Sequence, residues 1–86
     1  MRRSIDDRPA APDDVPPGLE EDSAQLSWAV AISDDYEDDA PRVVLTVEEV
    51  GDAGRGLVTH LTPDVARRLR AALGDALQEI GEPRGR

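Results

Sequence analysis

The segment 62–80, TPDVARRLRAALGDALQEI, carries the strongest structural signal in this chain of 86 residues. Thr62 is a favoured N-cap residue, and Pro63 suits the first helical position, where no N–H donor is required. Apolar residues recur at helical spacing, and Gly81 followed by Pro83 is typical of a helix end. The pattern predicts an amphipathic helix with an apolar stripe that packs on a sheet: Val65, Leu69, Leu73, Leu77 and Ile80.

Two features of this helix are unusual. Gly74 lies in its middle and costs about 1 kcal/mol relative to alanine, which indicates close approach by a neighbouring element, with a tolerated defect as the alternative. The first half carries arginines and the second half carries acids, an order that the helix dipole does not favour: Arg67, Arg68, Arg70, Asp75 and Glu79. The three arginines are interpreted as a solvated face, with partner or nucleic-acid binding as the alternative.

Three segments upstream of the helix have the patterns of β-strands. Residues 24–33 alternate between apolar and small polar side chains, which predicts a half-buried strand with Trp28 under the helix. Residues 42–50 are rich in β-branched side chains, and residues 57–61 run directly into the helix cap. Short connections predict a three-stranded antiparallel meander followed by one C-terminal helix packed on one face, a βββα fold of the α+β class.

The remaining segments predict disordered ends. Residues 1–23 are rich in proline and acids and have few apolar side chains, so they are expected to be disordered. The predicted domain spans residues 24–81, and residues 82–86 form a second disordered tail.

The charge of the chain is concentrated in its first half. The formal net charge is −9, and residues 1–41 hold three arginines against twelve acids, which accounts for all of it. This distribution disfavours general binding to nucleic acid or to an anionic membrane, and it fits a basic protein partner. No apolar run approaches the length of a membrane span and no secretory signal is present, so a cytoplasmic location is predicted.

The second face of the predicted sheet is semi-apolar, although a solvated face usually carries more polar residues. Such a face is often buried against a copy of itself, which predicts a homodimer through the sheets or edge strands, with a monomer as the alternative. The predicted dimer face consists of Ala29, Ala31, Val44, Thr46, Val50 and Val58.

Catalytic, cofactor and metal sites are not expected. The chain has no cysteine and a single histidine, His60, which is interpreted as structural. The sequence GDAGRG at 51–56 joins two strands and is interpreted as a hairpin turn, not a phosphate-binding loop. The acidic loop lacks the spacing of an EF-hand and is instead a candidate partner-binding segment: Asp34, Asp35, Tyr36, Glu37, Asp38 and Asp39. The meander places this loop near the start of the helix, beside Arg67 or Arg68.

These observations favour a small non-catalytic protein with an interaction or regulatory role. The hypothesis is an acidic homodimer that presents its acidic loop and tail to a basic partner. One alternative is a nucleic-acid-associated regulator that uses Arg67, Arg68 and Arg70. Another is an inhibitor of the antitoxin or immunity type that neutralises a basic protein.

Overall fold

The computed structural model describes residues 1–21, 24–51 and 54–85 of the chain. Its regular elements are one antiparallel sheet with strand order β1-β2-β3-β4, one short 3₁₀ helix and one α-helix. In chain order they are β1 (Arg2–Arg8), the 3₁₀ helix (Pro12–Asp14), β2 (Leu26–Ser33), β3 (Arg42–Glu49), β4 (Leu57–Leu61) and α1 (Pro63–Glu79). The predicted hairpin turn at 51–56 and the predicted tails at 1–23 and 82–86 lie partly outside the described residues.

The α+β class and the three predicted strands are confirmed. Strand β2 pairs with β3 through Val30 and Leu45, and β3 pairs with β4 through Val43 and Leu61. Because side chains alternate along each strand, the register defines two faces of the sheet. The inner face carries Trp28, Val30, Ile32, Val43, Leu45, Val47, Leu57 and Leu61, and the outer face carries Ala29, Ala31, Val44, Thr46, Val58 and His60.

The predicted number of strands is wrong, because the sheet has a fourth strand in addition to these three. Arg2–Arg8 forms it, within the segment that composition assigns to disorder. This strand pairs antiparallel with β2, from Arg2 opposite Ser33 to Arg8 opposite Trp28, with an irregularity before Asp6. Five of its seven side chains are charged and all except Arg8 are exposed, so backbone hydrogen bonds hold it in place rather than apolar burial. Composition indicates how much apolar surface a segment can bury, so it does not reveal a strand that is held by backbone hydrogen bonds.

The ends of α1 follow the predicted capping chemistry. Thr62 Oγ1 accepts a hydrogen bond from the N–H of Val65, and Pro63 occupies the first turn. At the other end Gly81 has a φ of 83°, a left-handed conformation that glycine adopts without strain. The N–H of Glu82 then donates to the carbonyl of Leu77 at 2.9 Å, which closes the helix with a typical glycine C-cap.

The core of the described chain differs from the predicted one. The apolar stripe of α1 was expected to be buried, yet its side chains remain between one-third and three-quarters exposed: Val65 49%, Leu69 41%, Leu73 60%, Leu77 38% and Ile80 74%. Among the described residues, the only buried hydrophobic residue is Val44, at 1% exposure, which lies on the outer face. Helix α1 comes close to β3 and β4 at few positions, so it leaves most of its stripe uncovered.

Two further expectations about neighbours are corrected by the structure. Trp28, expected under the helix, is 39% exposed, and it borders a small depression with Arg8, Asp14 and Leu26. Gly74 is buried as expected for a site of close approach, but the neighbour is a side chain. A methyl group at Gly74 would lie 3.3 Å from Arg84 Nη2.

Candidate interaction surface

An open apolar groove separates α1 from the inner face of the sheet and has a volume of about 420 Å³. The sheet side of the groove is formed by Val30, Val43, Leu45 and Leu61. The helix side is formed by Ala66, Leu69, Leu73 and Leu77, and Arg70 and Arg84 complete the lining with Gly74. The groove is therefore apolar along both walls and carries positive charge beside α1.

The geometry of the β4–α1 connection explains why this groove stays open. Thr62 is the only residue between the two elements, so the start of the helix is held close to Leu61 at the edge of the sheet. Strand β4 has five residues and spans about 17 Å, whereas α1 has 17 residues and spans about 25 Å. The helix is longer than its adjoining strand, and among the described elements its main neighbours are β3 and β4.

The helix arginines do not act as one cluster. Arg67 and Arg70 line a second depression of about 340 Å³ beside Gly74, together with Arg84. At 3.6 residues per turn, Arg68 points to the opposite side of α1. Sequence reasoning grouped all three as one binding patch, and the structure separates Arg68 from the other two.

Two of the three arginines around this depression already have acidic partners. Arg67 binds Asp64 one turn earlier on the helix. Arg84 binds Asp75 and also donates to Gln78 Oε1 at 2.8 Å. The local positive charge is therefore largely compensated, which weakens the nucleic-acid alternative.

The acidic loop between β2 and β3 is fastened onto the outer face of the sheet. A hydrogen bond of 2.8 Å joins Tyr36 Oη to His60 Nδ1 on β4, and the two rings meet edge to face at 5.5 Å. The guanidinium of Arg42 lies 4.6 Å from the centre of the Tyr36 ring and forms two hydrogen bonds with Asp38, at 2.9 and 2.7 Å. The loop is a fixed feature of the fold, and His60 is one of its anchors.

This arrangement bears on two predictions about the loop. Its expected position near the start of the helix is confirmed, because His60 precedes the N-cap Thr62 by two residues. The suggested ion pair between the loop and Arg67 is not formed, since that arginine binds Asp64. The other end of the loop contacts the start of the chain, where the amino group of Met1 donates to Asp35 at 2.7 Å.

The residues of the predicted dimer face have unequal access to solvent. Val44 is enclosed within the single chain, between the β-ladder positions of Ala31 and His60. Val50 and Val58 are 55% and 52% exposed. Val44 is thus unavailable for contact with a second molecule, and dimerisation through this face stays a prediction.

The charge pairing in the loop predicts a measurable pH effect. The two hydrogen bonds from Arg42, with a third from the N–H of Ala40, hold the pKa of Asp38 well below its usual range. Because the folded pKa is depressed, the carboxylate stabilises the fold above about pH 4, and this contribution is lost as the pH falls towards the folded pKa. Arg42→Gln is expected to return the pKa of Asp38 towards about 3.9, as followed by an NMR titration of its carboxyl carbon.

Arg67→Gln is the matched control for this titration, since it removes an arginine from an exposed ion pair elsewhere in the chain. It should leave the titration of Asp38 unchanged. An Arg42→Gln variant in which Asp38 titrates as in the parent protein would contradict the assignment of Arg42 as the main cause.

Sequence reasoning missed the groove, although one signal for it was visible. The predicted helix is much longer than the strand segment 57–61 that leads into it, so part of the apolar stripe had to extend beyond its own strand. Within the described ranges, His, Cys, Asp and Glu side chains form no group of three that could hold a metal ion. No helix in that part of the chain is long and apolar enough to cross a membrane.

Comparison with known proteins finds no matching family model, no matching curated protein and no matching solved structure.

Proposed function

We propose that this protein is a small non-catalytic interaction protein that binds another polypeptide in the groove and along the apolar stripe of α1. The observation that carries this proposal is the exposure of the stripe, whose five side chains are each 38% to 74% exposed. Soluble monomers rarely leave a continuous apolar surface of this kind uncovered, and larger patches mark interaction sites.

The shape of the surface fits a helical partner. A groove with two apolar walls beside an exposed helix is a common docking geometry, in which an amphipathic helix places its apolar side chains into the groove. Full burial of an aliphatic side chain contributes about 1.5–3 kcal/mol, so covering the exposed fractions of the stripe contributes roughly 4–8 kcal/mol per chain. This is comparable to the association cost of about 4–15 kcal/mol, which the partner's own apolar surface would further offset.

The acidic loop is a second candidate contact surface for the proposed partner protein. Glu37 and Asp39 are exposed on a loop that the Tyr36–His60 hydrogen bond holds in place. With a net charge of −9 for the chain, this loop would attract a basic protein and raise its association rate. We propose a cytoplasmic regulator with these two surfaces. The nucleic-acid alternative is less favoured because Arg67 and Arg84 are already paired.

Single-cysteine labelling tests the proposal, because the natural chain contains no cysteine. Leu73→Cys places a thiol on the stripe, and Ala71→Cys places a control thiol on the opposite side of α1. In an extract of the cells that make the protein, the thiol at position 73 should react with a maleimide at least about tenfold more slowly than the thiol at position 71, and denaturation should remove the difference. Equal labelling rates in the native extract would show that the stripe is not covered and would overturn the proposal.

A further inference from the structure

We propose that residues 81–85 form an autoinhibitory strap, in which Arg84 lies on Gly74 at the edge of the apolar groove and must move before a partner can fill the groove. The partner is that of the proposed function, on which this inference rests. Three observations carry it: the path of the chain after α1, the contacts at Gly74, and the place of Arg84 between two depressions.

The chain reverses its direction after α1 and runs back along the helix. Gly81, with a φ of 83°, begins the reversal, and the N–H of Glu82 fixes it by donating to the carbonyl of Leu77 at 2.9 Å. Gly74 lies roughly 10 Å before Gly81 along the helix axis, and three extended residues span about 10 Å. The segment therefore runs back nearly straight to bring Arg84 onto Gly74.

Gly74 provides the space in which the Arg84 side chain packs. It is buried within α1, and a Cβ atom added there would lie 3.3 Å from Arg84 Nη2, 3.5 Å from Cζ and 3.6 Å from Cβ. The arginine therefore crosses the helix at this glycine along the length of its side chain. A glycine inside a helix is less stable than an alanine, and this close approach gives a reason for its presence.

Two acceptors on α1 hold the guanidinium of Arg84. It binds Asp75 and donates to Gln78 Oε1 at 2.8 Å. The Arg84 and Asp75 side chains are 44% and 69% exposed, and ion pairs with this exposure change an equilibrium by at most about fivefold. The strap is therefore held weakly enough for a bound partner to displace it.

Arg84 separates the apolar groove from the second depression beside α1. The two have volumes of about 420 and 340 Å³, and both are lined by Arg70, Gly74 and Arg84. A partner that filled the apolar groove would remove water from the guanidinium, and an ionised group is destabilised when apolar surface replaces its water. Binding therefore requires Arg84 to move out, and the strap opposes it.

A nuclear Overhauser spectrum of the purified full chain tests the strap without any partner. A cross-peak between the Hα protons of Gly74 and the Hβ protons of Arg84 is expected, because the Arg84 Cβ packs directly on this glycine. Asp75→Ala should weaken the cross-peak, since it removes the charged acceptor. A parent chain without the cross-peak overturns the inference.

The inhibitory role is tested by labelling the Leu73→Cys chain with a maleimide in serial dilutions of the cell extract. Arg84→Ala and Asp75→Ala should each keep the thiol half protected at a roughly three- to fivefold greater dilution, because each removes the cost of opening the strap. These substitutions change the net charge in opposite directions, so an effect of charge alone would shift the two curves oppositely.

Arg8→Ala is the matched control, because Arg8 forms a similarly exposed ion pair with Asp14 outside both depressions. It should leave the dilution at half protection within about twofold of the parent value. A protected parent thiol with opposite shifts or no shifts keeps the proposed function and overturns the strap as an inhibitor. A thiol that is unprotected in every chain overturns the proposed function, and the inhibitory role falls with it.

Discussion

Replacing Val44 by aspartate is expected to unfold this protein at 25 °C. Val44 is the only buried hydrophobic residue among those described, at 1% exposure in the central strand pair of the sheet. A carboxylate at this position would lose its water in a site shaped for valine, where the neighbouring His60 is already held by Tyr36, and such substitutions cost at least about 4 kcal/mol. A domain of this size has on the order of 4 kcal/mol of stability in total, so at least half of the population would be unfolded.

Urea denaturation followed by far-UV circular dichroism measures this effect. Val58→Asp is the matched control, because Val58 lies on the same face of the sheet in the neighbouring strand but is 52% exposed. The control should lose no more than about 1 kcal/mol. A Val44→Asp protein with an unchanged urea midpoint would show that the outer face is not the core of the fold.

Leu73→Asp is expected to abolish binding of the proposed partner polypeptide while leaving the single chain folded. Leu73 lies in the middle of the exposed stripe, so the substitution removes an apolar contact and places a carboxylate in the proposed interface. With 60% of the side chain available for burial, the lost transfer energy alone is roughly 1–2 kcal/mol, and desolvation of the acid adds to it. We expect the dissociation constant to rise at least about 100-fold.

The melting temperature gives the readout of this change. A partner that binds only the folded chain raises its melting temperature. The parent protein should therefore melt at a higher temperature in the cell extract than after purification, and Leu73→Asp should lose this difference. Ala71→Asp places the same charge on the opposite side of α1 and should retain it. Leu73→Asp with the same rise as the parent protein would place the interface elsewhere on the chain.

The parts of the fold that could be predicted are those set by local sequence. Thr62, Pro63 and Gly81 define the ends of α1 through bonds within a few residues, so the helix could be recognised from its own segment. The alternation of side chains in β2 could likewise be recognised from the residues of that strand alone. Strand β1 lacked such a pattern. It pairs with β2 through backbone hydrogen bonds, and its charged side chains give it the composition of a disordered segment.

The candidate site depends on contacts between residues that are distant in the sequence, and a local sequence pattern does not predict such contacts. An amphipathic helix indicates that one of its faces must be covered, but the same pattern results whether the cover is its own sheet or another chain. The Tyr36–His60 bond joins residues 24 positions apart and depends on the register of β4. For the same reason Val44 was assigned to an outer surface, although the fold encloses it.

Strand β1 also has a consequence for how the protein behaves in concentrated solution. Strand β2 reads LSWAVAIS and carries no charge, and a strand of this composition at an open sheet edge is a template for aggregation. The charged strand β1 occupies that edge, and its outer side presents arginines and aspartates instead. A version of the chain shortened past Arg8 would expose β2 to strand addition by other molecules. The first eight residues are therefore expected to protect the folded protein against aggregation, a role that does not depend on any partner.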